Sequence, residues 1–136
     1  MKKSIVFLFV LLFSVILSAQ NIVVESFVYL KNDLTANREG TIVYDHYNRE
    51  KCALIKVRSI PYIDGFTFDV GALGIEKTEI VGGEIWLYVP HGVRRISIWH
   101  KDLGYLDDYD LGVSVEKAKT YLLTLKVGRV SQVINE

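Results

Sequence analysis

The feature that most constrains the fold is an alternation of apolar and polar residues in short runs. In residues 120–127 one side of the run is apolar throughout, with Tyr121, Leu123, Leu125 and Val127 at alternate positions. A period of two places such side chains on one face of a strand, so that one face is buried and the other is wet. Similar runs recur along the chain, and Gly, Pro, Asn and Asp lie between them. The pattern predicts an all-β chain.

The spacing of these runs predicts a single Greek-key β-sandwich of about seven to eight strands, although the pattern alone leaves the order of the strands open. The candidate strands are residues 21–30, 41–44, 52–59, 66–70, 75–81, 84–89, 95–100, 105–115 and 120–127. Residues 84–89 are apolar on both sides, which predicts a central strand covered on both faces. Gly82-Gly83 predicts a two-residue hairpin turn, and residues 45–51 a polar hairpin connection. The one helix expected is a single turn at 115–119.

The first nineteen residues have the layout of a secretory signal peptide. Lys2 and Lys3 are followed by an apolar stretch at 5–17 and by small residues that end at Ala19, where we expect cleavage. An uncleaved membrane anchor is the alternative, but residues 4–19 would span only about 24 Å as a helix, against a hydrocarbon core of about 30 Å. We therefore expect export to the periplasm, the outer membrane or the cell surface, with no stable membrane span after cleavage.

The remaining chain is expected to hold one β-sandwich domain at 20–130 and a tail at 131–136. The tail lacks a clear terminator, so a longer parent protein is an open alternative. Without Lys2 and Lys3 the chain keeps fourteen basic and sixteen acidic residues. Because nucleic-acid binding needs a basic stripe, this mixed charge argues against nucleic acid as a partner.

The residue types that carry chemistry do not form a recognisable catalytic or metal-binding pattern. The sequence has neither a Gly-x-Ser-x-Gly elbow nor a glycine-rich phosphate loop. Cys52 is the single cysteine, and its place in an apolar run predicts a buried, inert thiol. We expect no enzymatic activity, no metal and no cofactor.

The histidines and the clustered aspartates are expected to be surface or turn residues. His46, His91 and His100 lack the spacing of zinc ligands. The aspartates at 107, 108 and 110 lack the turning, glycine-containing loop of a calcium site, and they fit a solvated face or a charge-protected edge strand better.

Aromatic side chains are the remaining candidates for a binding surface. Trp86, Tyr88 and Trp99, together with Tyr105 and Tyr109, could present a platform to a sugar or a peptide, because aromatic rings combine apolar faces with polar edges. The alternative is that Trp86 and Trp99 alternate with aliphatic residues and fill the core. The candidate binding residues are Trp86, Tyr88, His91 and Trp99.

Residues 83–98 resemble a PEGA-type module, in which a strand, a Pro-x-Gly turn and a second strand follow one another; the turn here is Pro90-His91-Gly92. Residues 32–36, 44–45 and 51–57 resemble the amino-terminal β-domain of exported Bacteroidota envelope proteins. The resemblance covers most of residues 20–130. It departs from the name-giving pattern, because His91 fills the variable slot and Glu-Gly-Ala does not follow.

The resemblance implies a β-sandwich accessory module of the cell envelope, and it brings no catalytic residues. We therefore expect a non-catalytic module that binds an envelope protein or a cell-surface polysaccharide. The alternative is a structural spacer or an assembly subunit of a surface or secretion complex. Pairing through the edge of the strand at 21–30 is one conceivable route to such an assembly.

Overall fold

The structure is a computed structural model, and it describes residues 22–127. It confirms an all-β sandwich and contains eight strands in two sheets. The strands are β1 (Ile22–Tyr29), β2 (Ala53–Ile60), β3 (Thr67–Asp69), β4 (Lys77–Val81), β5 (Glu84–Val89), β6 (Arg95–His100), β7 (Gly104–Asp110) and β8 (Thr120–Val127). The expected signal peptide at 1–19 and the tail at 131–136 lie outside the described residues.

The two sheets differ in size and in strand direction. The larger sheet has the order β1-β8-β2-β5-β4, and the smaller has the order β3-β6-β7. Strand β8 pairs antiparallel with β1 but parallel with β2. A parallel pair needs a long connection, and here the chain between β2 and β8 crosses to the smaller sheet and back twice. These crossings tie the two sheets together.

The hydrophobic core lies between the sheets and follows the predicted alternation. Its fully buried aliphatic members come from the inner faces of both sheets: Ile55, Val57, Leu87, Val89, Ile96, Ile98, Leu123 and Leu125. Burying each such side chain contributes about 1.5–3 kcal/mol relative to exposure, so this layer is the main source of stability. We call the sheet faces turned away from this core the outer faces.

Strand β5 is internal, as predicted, and its second half is buried on both faces. Leu87 points into the main core. On the outer face Tyr88 packs with Leu54, Cys52 and Ala36 in a second, smaller cluster. The β1–β2 connection therefore covers part of this outer face, and this covering segment shapes the cleft described below.

Two expected elements are absent from the described residues. Residues 41–44 form no strand and make only an isolated bridge between Tyr44 and Lys51. The nearby carboxylate of Asp45 accepts backbone N–H groups from Tyr47 and Asn48, which stabilises a turn instead.

The expectation of a helical turn at 115–119 is also wrong. Ala118 has a φ of 62°, which is incompatible with a right-handed helix. The segment is a turn, and it is held by hydrogen bonds from Val115 N–H to the Val93 carbonyl and from Ala118 N–H to the Cys52 carbonyl.

The predicted strand at 105–115 ends at Asp110, and a β-bulge changes its orientation. Ile96 pairs with Tyr109 but Ile98 pairs with Leu106, so β7 contains one residue more than β6 across this interval. Asp108 takes up the extra residue with a φ of 51°. Leu106 and Tyr109 consequently both pack against the core, while Tyr105 is exposed, and the simple alternation expected for this segment is wrong.

Candidate functional site

The structure distributes the four predicted binding residues over three places. Trp86 and Tyr88 lie on the outer face of β5 in the five-stranded sheet. His91 is an exposed residue of the β5–β6 turn, where its Nδ1 accepts a hydrogen bond from the Lys117 N–H at 3.3 Å. Trp99 lies on the outer face of β6, in the other sheet. The four side chains therefore do not form one platform.

Tyr88 is a packing residue rather than an accessible surface. Only 2% of it is exposed, and its ring lies against the cluster that contains Leu54 and Ala36. Burial, together with the nearby Glu79, raises the pKa of its hydroxyl. Tyr88 therefore belongs to the packing of the outer-face cluster.

A cleft of about 950 Å³ lies on the outer face of the five-stranded sheet and includes Trp86. One wall is the chain segment from Tyr29 to Arg38, which we call the wall segment. The other side is formed by Lys56 of β2 and Trp86 of β5. Lys56 and Trp86 are direct cross-strand partners in the antiparallel β2–β5 pair, so their side chains lie next to each other.

Long-range hydrogen bonds fasten the wall segment to the rest of the domain. The Ala36 N–H donates to Thr120 Oγ1 at 3.1 Å, Lys51 Nζ donates to Asn37 Oδ1 at 2.8 Å, and Lys56 Nζ donates to Asp33 Oδ2 at 2.5 Å. Ala36, within the segment, is almost completely buried against Leu54 and Tyr88. The cleft is therefore formed before any ligand arrives, which reduces the entropy lost on binding.

The ion pair of Lys56 and Asp33 lines the cleft. The Lys56 ammonium also contacts Thr35 Oγ1 at 3.3 Å and lies 4.6 Å from the centre of the Trp86 ring. Partial burial acts to raise the pKa of Asp33, but hydrogen bonds from Lys56 and Thr35 outweigh it and lower the pKa overall. The charges of Lys56 and Asp33 thus pair with each other, and both groups also contact Thr35 of the wall segment.

The indole N–H of Trp86 also has a hydrogen-bond partner within the domain. Nε1 donates to Glu84 Oε1 at 3.1 Å, and Arg58 forms an ion pair with the other oxygen of Glu84 at 2.6 Å. Burial acts to raise the pKa of Glu84, but the hydrogen bonds from Arg58 and Trp86 lower it overall. This network fixes the orientation of the half-buried Trp86 ring at the floor of the cleft.

The rim of the cleft carries exposed groups that a ligand can reach. Leu34 is 61% exposed and Tyr29 is 47% exposed. Lys31 and Arg38 are exposed, and within residues 22–127 neither side chain forms an ion pair or a hydrogen bond. The rim therefore combines apolar surface with cationic donors.

The second exposed aromatic surface lies on the outer face of the three-stranded sheet. Trp99 and Tyr105 are cross-strand partners, 46% and 50% exposed. A hollow of about 310 Å³ beside Tyr105 is lined by Ser97 and by the aspartates at 69, 107 and 108. The part of the predicted platform that combines Trp99 and Tyr105 is thus exposed. It is separated from the cleft by the thickness of the sandwich.

Cys52 and His100 are both buried in the sandwich. Cys52 is 1% exposed, and burial, with the carboxylates of Glu76 and Asp45 nearby, raises the pKa of its thiol to about 12. The expectation that His100 is a surface or turn residue is wrong, because it shares the inward parity of Ile98 on β6 and is 5% exposed. In the described residues no group of three or more His, Cys, Asp or Glu side chains could hold a metal ion.

The sequence pattern did not predict that the wall segment forms one side of a cleft. The one available signal was Lys56, the only charged residue in the otherwise apolar run at 52–57. Its partner Asp33 lies far away in sequence, in a stretch that reads only as a polar loop. Periodicity predicts which face a side chain occupies, but it does not predict which loop covers that face.

Comparison of the chain with protein-family models, with curated proteins and with solved structures finds no match. Between residues 22 and 127, no helix has both the length and the apolar character needed to cross a membrane.

Proposed function

We propose that this chain is an exported, non-catalytic module of the cell envelope that binds an envelope polysaccharide or protein, and that the cleft beside Trp86 is its binding site. The observation that carries the proposal is the wall segment, which hydrogen bonds to the rest of the domain hold in place. It forms one wall of an open cleft of about 950 Å³ on the sheet. The signal-like first nineteen residues and the resemblance to PEGA-type envelope modules support the location. Nucleic acid is not a proposed partner.

The chemistry of the cleft favours binding over catalysis. A general acid or base must be free to exchange a proton with its substrate and needs a pKa near the working pH. Asp33 is the one carboxylate in the cleft lining, its pKa is lowered, and its oxygens accept hydrogen bonds from Lys56 and Thr35. These groups hold the wall segment in place, and the free rim groups remain for recognition.

Of the two partner classes, the cleft fits a polysaccharide better. Apolar rim groups such as Leu34 and Tyr29 can contact the flat faces of sugar rings, while the donors at Lys31 and Arg38 can bond to oxygen atoms. A narrow polysaccharide chain also fits an open cleft that has the wall segment along one side. A folded protein would normally contact about 800 Å² of a flatter surface.

The experiment is a binding assay of the purified exported chain with polysaccharide and protein fractions of the envelope. The test variant is the double substitution Asn32→Ala and Leu34→Ala, which removes two exposed side chains that line the cleft and leaves the groups that fasten the wall segment in place. The matched control, Trp99→Ala and Tyr105→Ala, removes the exposed aromatic pair of the other sheet. We expect the rim variant to lose binding and the control to keep it.

The opposite pattern would place the site on the three-stranded sheet and refute the assignment of the cleft. If the unmodified chain binds no envelope fraction at all, the proposed binding function is wrong. Circular dichroism and urea unfolding of each variant separate a lost contact from a lost fold.

One observation favours the second candidate, a spacer or assembly subunit. Strand β1 is at an edge of the five-stranded sheet and pairs only with β8 among the described strands. The Leu30 N–H donates to the Thr120 carbonyl, so alternation along the antiparallel ladder turns the Tyr29 N–H towards the open edge and the Val28 N–H towards β8. An added strand from another chain could bond to this edge.

This geometry identifies the residue to substitute in an assembly test. Tyr29→Pro removes an outward N–H and should block strand addition while the domain stays folded. Val28→Pro removes an N–H that points towards β8 and should destabilise the domain itself. Assembly that survives Tyr29→Pro, measured by light scattering or analytical ultracentrifugation, would contradict this route.

A further inference from the structure

The free charges of the cleft are all of one sign. Among the lining residues the ionisable groups are Lys31, Asp33, Arg38 and Lys56, together with the phenol of Tyr29. Lys56 and Asp33 neutralise each other in the ion pair, which leaves Lys31 and Arg38 as unpaired charges. The chain as a whole has sixteen basic and sixteen acidic residues, so this local excess of positive charge is a property of the cleft.

Acidic residues gather on the other side of the sandwich. The hollow of the three-stranded sheet is lined by Asp69, Asp107 and Asp108, and its single cation, Arg95, lies within ion-pair distance of Asp108 and Asp110. The two candidate surfaces thus differ in charge. An anionic ligand is attracted to the cleft and repelled by the other face.

Lys31 lies near the start of the wall segment and Arg38 is its last residue. Lys31 follows β1, Arg38 follows the short 3₁₀ turn at Thr35–Asn37, and the exposed Leu34 lies between them in sequence. This arrangement suits a ligand that repeats an anionic group along its length and offers an apolar face between the groups. Arg38 can bind a carboxylate through two parallel hydrogen bonds, and Lys31 acts as a point charge.

We infer that the ligand of the cleft is an acidic polysaccharide whose sugar units carry carboxylates, held by Lys31 and Arg38 across the wall segment. This inference rests on the proposed function and adds the chemical class of the ligand. Two cations fall short of the many phosphate contacts that give nucleic acids their affinity, so the inference concerns sugar carboxylates.

The test compares two polymers with the same sugar backbone: polygalacturonate and its methyl ester, in which each carboxylate is neutralised. Affinity for each is measured by calorimetry, at low salt and at about 0.5 M salt, where charges are screened within a few ångströms. A phosphorylated dextran, compared with plain dextran, tests whether phosphate can replace carboxylate. The variants are Lys31→Ala with Arg38→Ala, and the matched control Lys101→Ala with Lys126→Ala, which removes two exposed lysines outside the cleft.

We expect the acid to bind about tenfold more tightly than the ester at low salt, since two partly exposed charge contacts each contribute a few-fold. The Lys31 and Arg38 variant should lose this preference, the control should keep it, and high salt should reduce it. Arg38→Lys should recover only part of the loss, because a lysine cannot form the paired hydrogen bonds.

Every other result of this test refutes either the inference or the proposed function. If acid and ester bind equally, or if the preference survives removal of Lys31 and Arg38, the inference is wrong while the proposed binding function stands. Equal losses in the variant and the control would show a general charge effect and refute a specific site. Preference for the phosphorylated dextran over polygalacturonate would refute carboxylate as the recognised group. Binding to no polymer and to no envelope fraction would refute the proposed function as well.

Discussion

Breaking the ion pair between Lys56 and Asp33 should loosen the wall segment and destabilise the domain. Only 13% of the Lys56 side chain and 21% of the Asp33 side chain are exposed, so solvent screens their attraction less than it would at the surface. Asp33 also accepts two hydrogen bonds from Thr35. Removal of the Asp33 carboxylate therefore loosens the wall segment and also leaves the Lys56 charge without its partner.

The size of the effect follows from the bonds that each substitution removes. Asp33→Ala removes all three acceptor contacts and should lower the free energy of unfolding by about 2–3 kcal/mol. Lys56→Met keeps the aliphatic stem beside Trp86 and leaves Asp33 bonded to Thr35, so we expect a loss of about 1–2 kcal/mol. The double variant should lose about 1 kcal/mol less than the sum of the two, since the pair can be broken only once.

The assay is urea unfolding of the four proteins of this cycle, followed by tryptophan fluorescence at several pH values. The folded-state pKa of Asp33 lies below its ordinary value of 3.8, so the pair stabilises the fold at higher pH and its contribution is lost as the pH falls through the folded-state pKa. The difference between the unmodified chain and Lys56→Met should therefore shrink below about pH 4. Additive losses in the cycle, with a difference that does not change with pH, would refute the reasoning.

Three further predictions concern the scaffold. Ala118→Gly should raise the free energy of unfolding by roughly 1 kcal/mol, because Ala118 holds a φ of 62° that glycine adopts without strain; destabilisation in the same urea assay would contradict it. His100→Ala should lower it by roughly 2–3 kcal/mol, because the buried ring contacts the Asp64 carbonyl through Nε2 at 2.8 Å and accepts the Asp102 N–H at 3.1 Å. His100→Gln, which can still reach Asp64, should lose less, and equal losses would argue against that bond. Cys52 should not react with a disulfide reagent at pH 8 in the folded chain, because its thiol is buried with a pKa of about 12, and rapid stoichiometric labelling would contradict the structure.

The sequence pattern predicted the elements whose two faces meet different surroundings. The alternation at 120–127 became β8, with Tyr121, Leu123 and Leu125 in the core, because a central strand with one core face needs that pattern. Gly82-Gly83 became the β4–β5 hairpin turn, with both residues at positive φ as that turn requires. In these places local sequence and tertiary structure agree.

The expectations that were wrong depend on contacts between distant parts of the chain. The bulge at Asp108 changes which residues of β7 face the core, and its cause is the pairing with β6, where Ser97 Oγ accepts the Asp108 N–H. The predicted aromatic platform is divided because Trp86 and Trp99 lie on outer faces of different sheets. Alternation predicts that Trp86 and Trp99 each point away from the core, but it does not predict the sheet to which each strand belongs.

The two tryptophans provide the most direct test of the central claim, because each reports on one candidate surface. The indole N–H groups of Trp86 and Trp99 give the only two such signals of the chain in a proton–nitrogen NMR spectrum. On titration with galacturonate oligomers, we expect the Trp86 signal to shift together with the backbone signals of the wall segment, while the Trp99 signal stays in place. A shift of the Trp99 signal alone, or no shift of either signal, would contradict a site for acidic polysaccharide in the cleft.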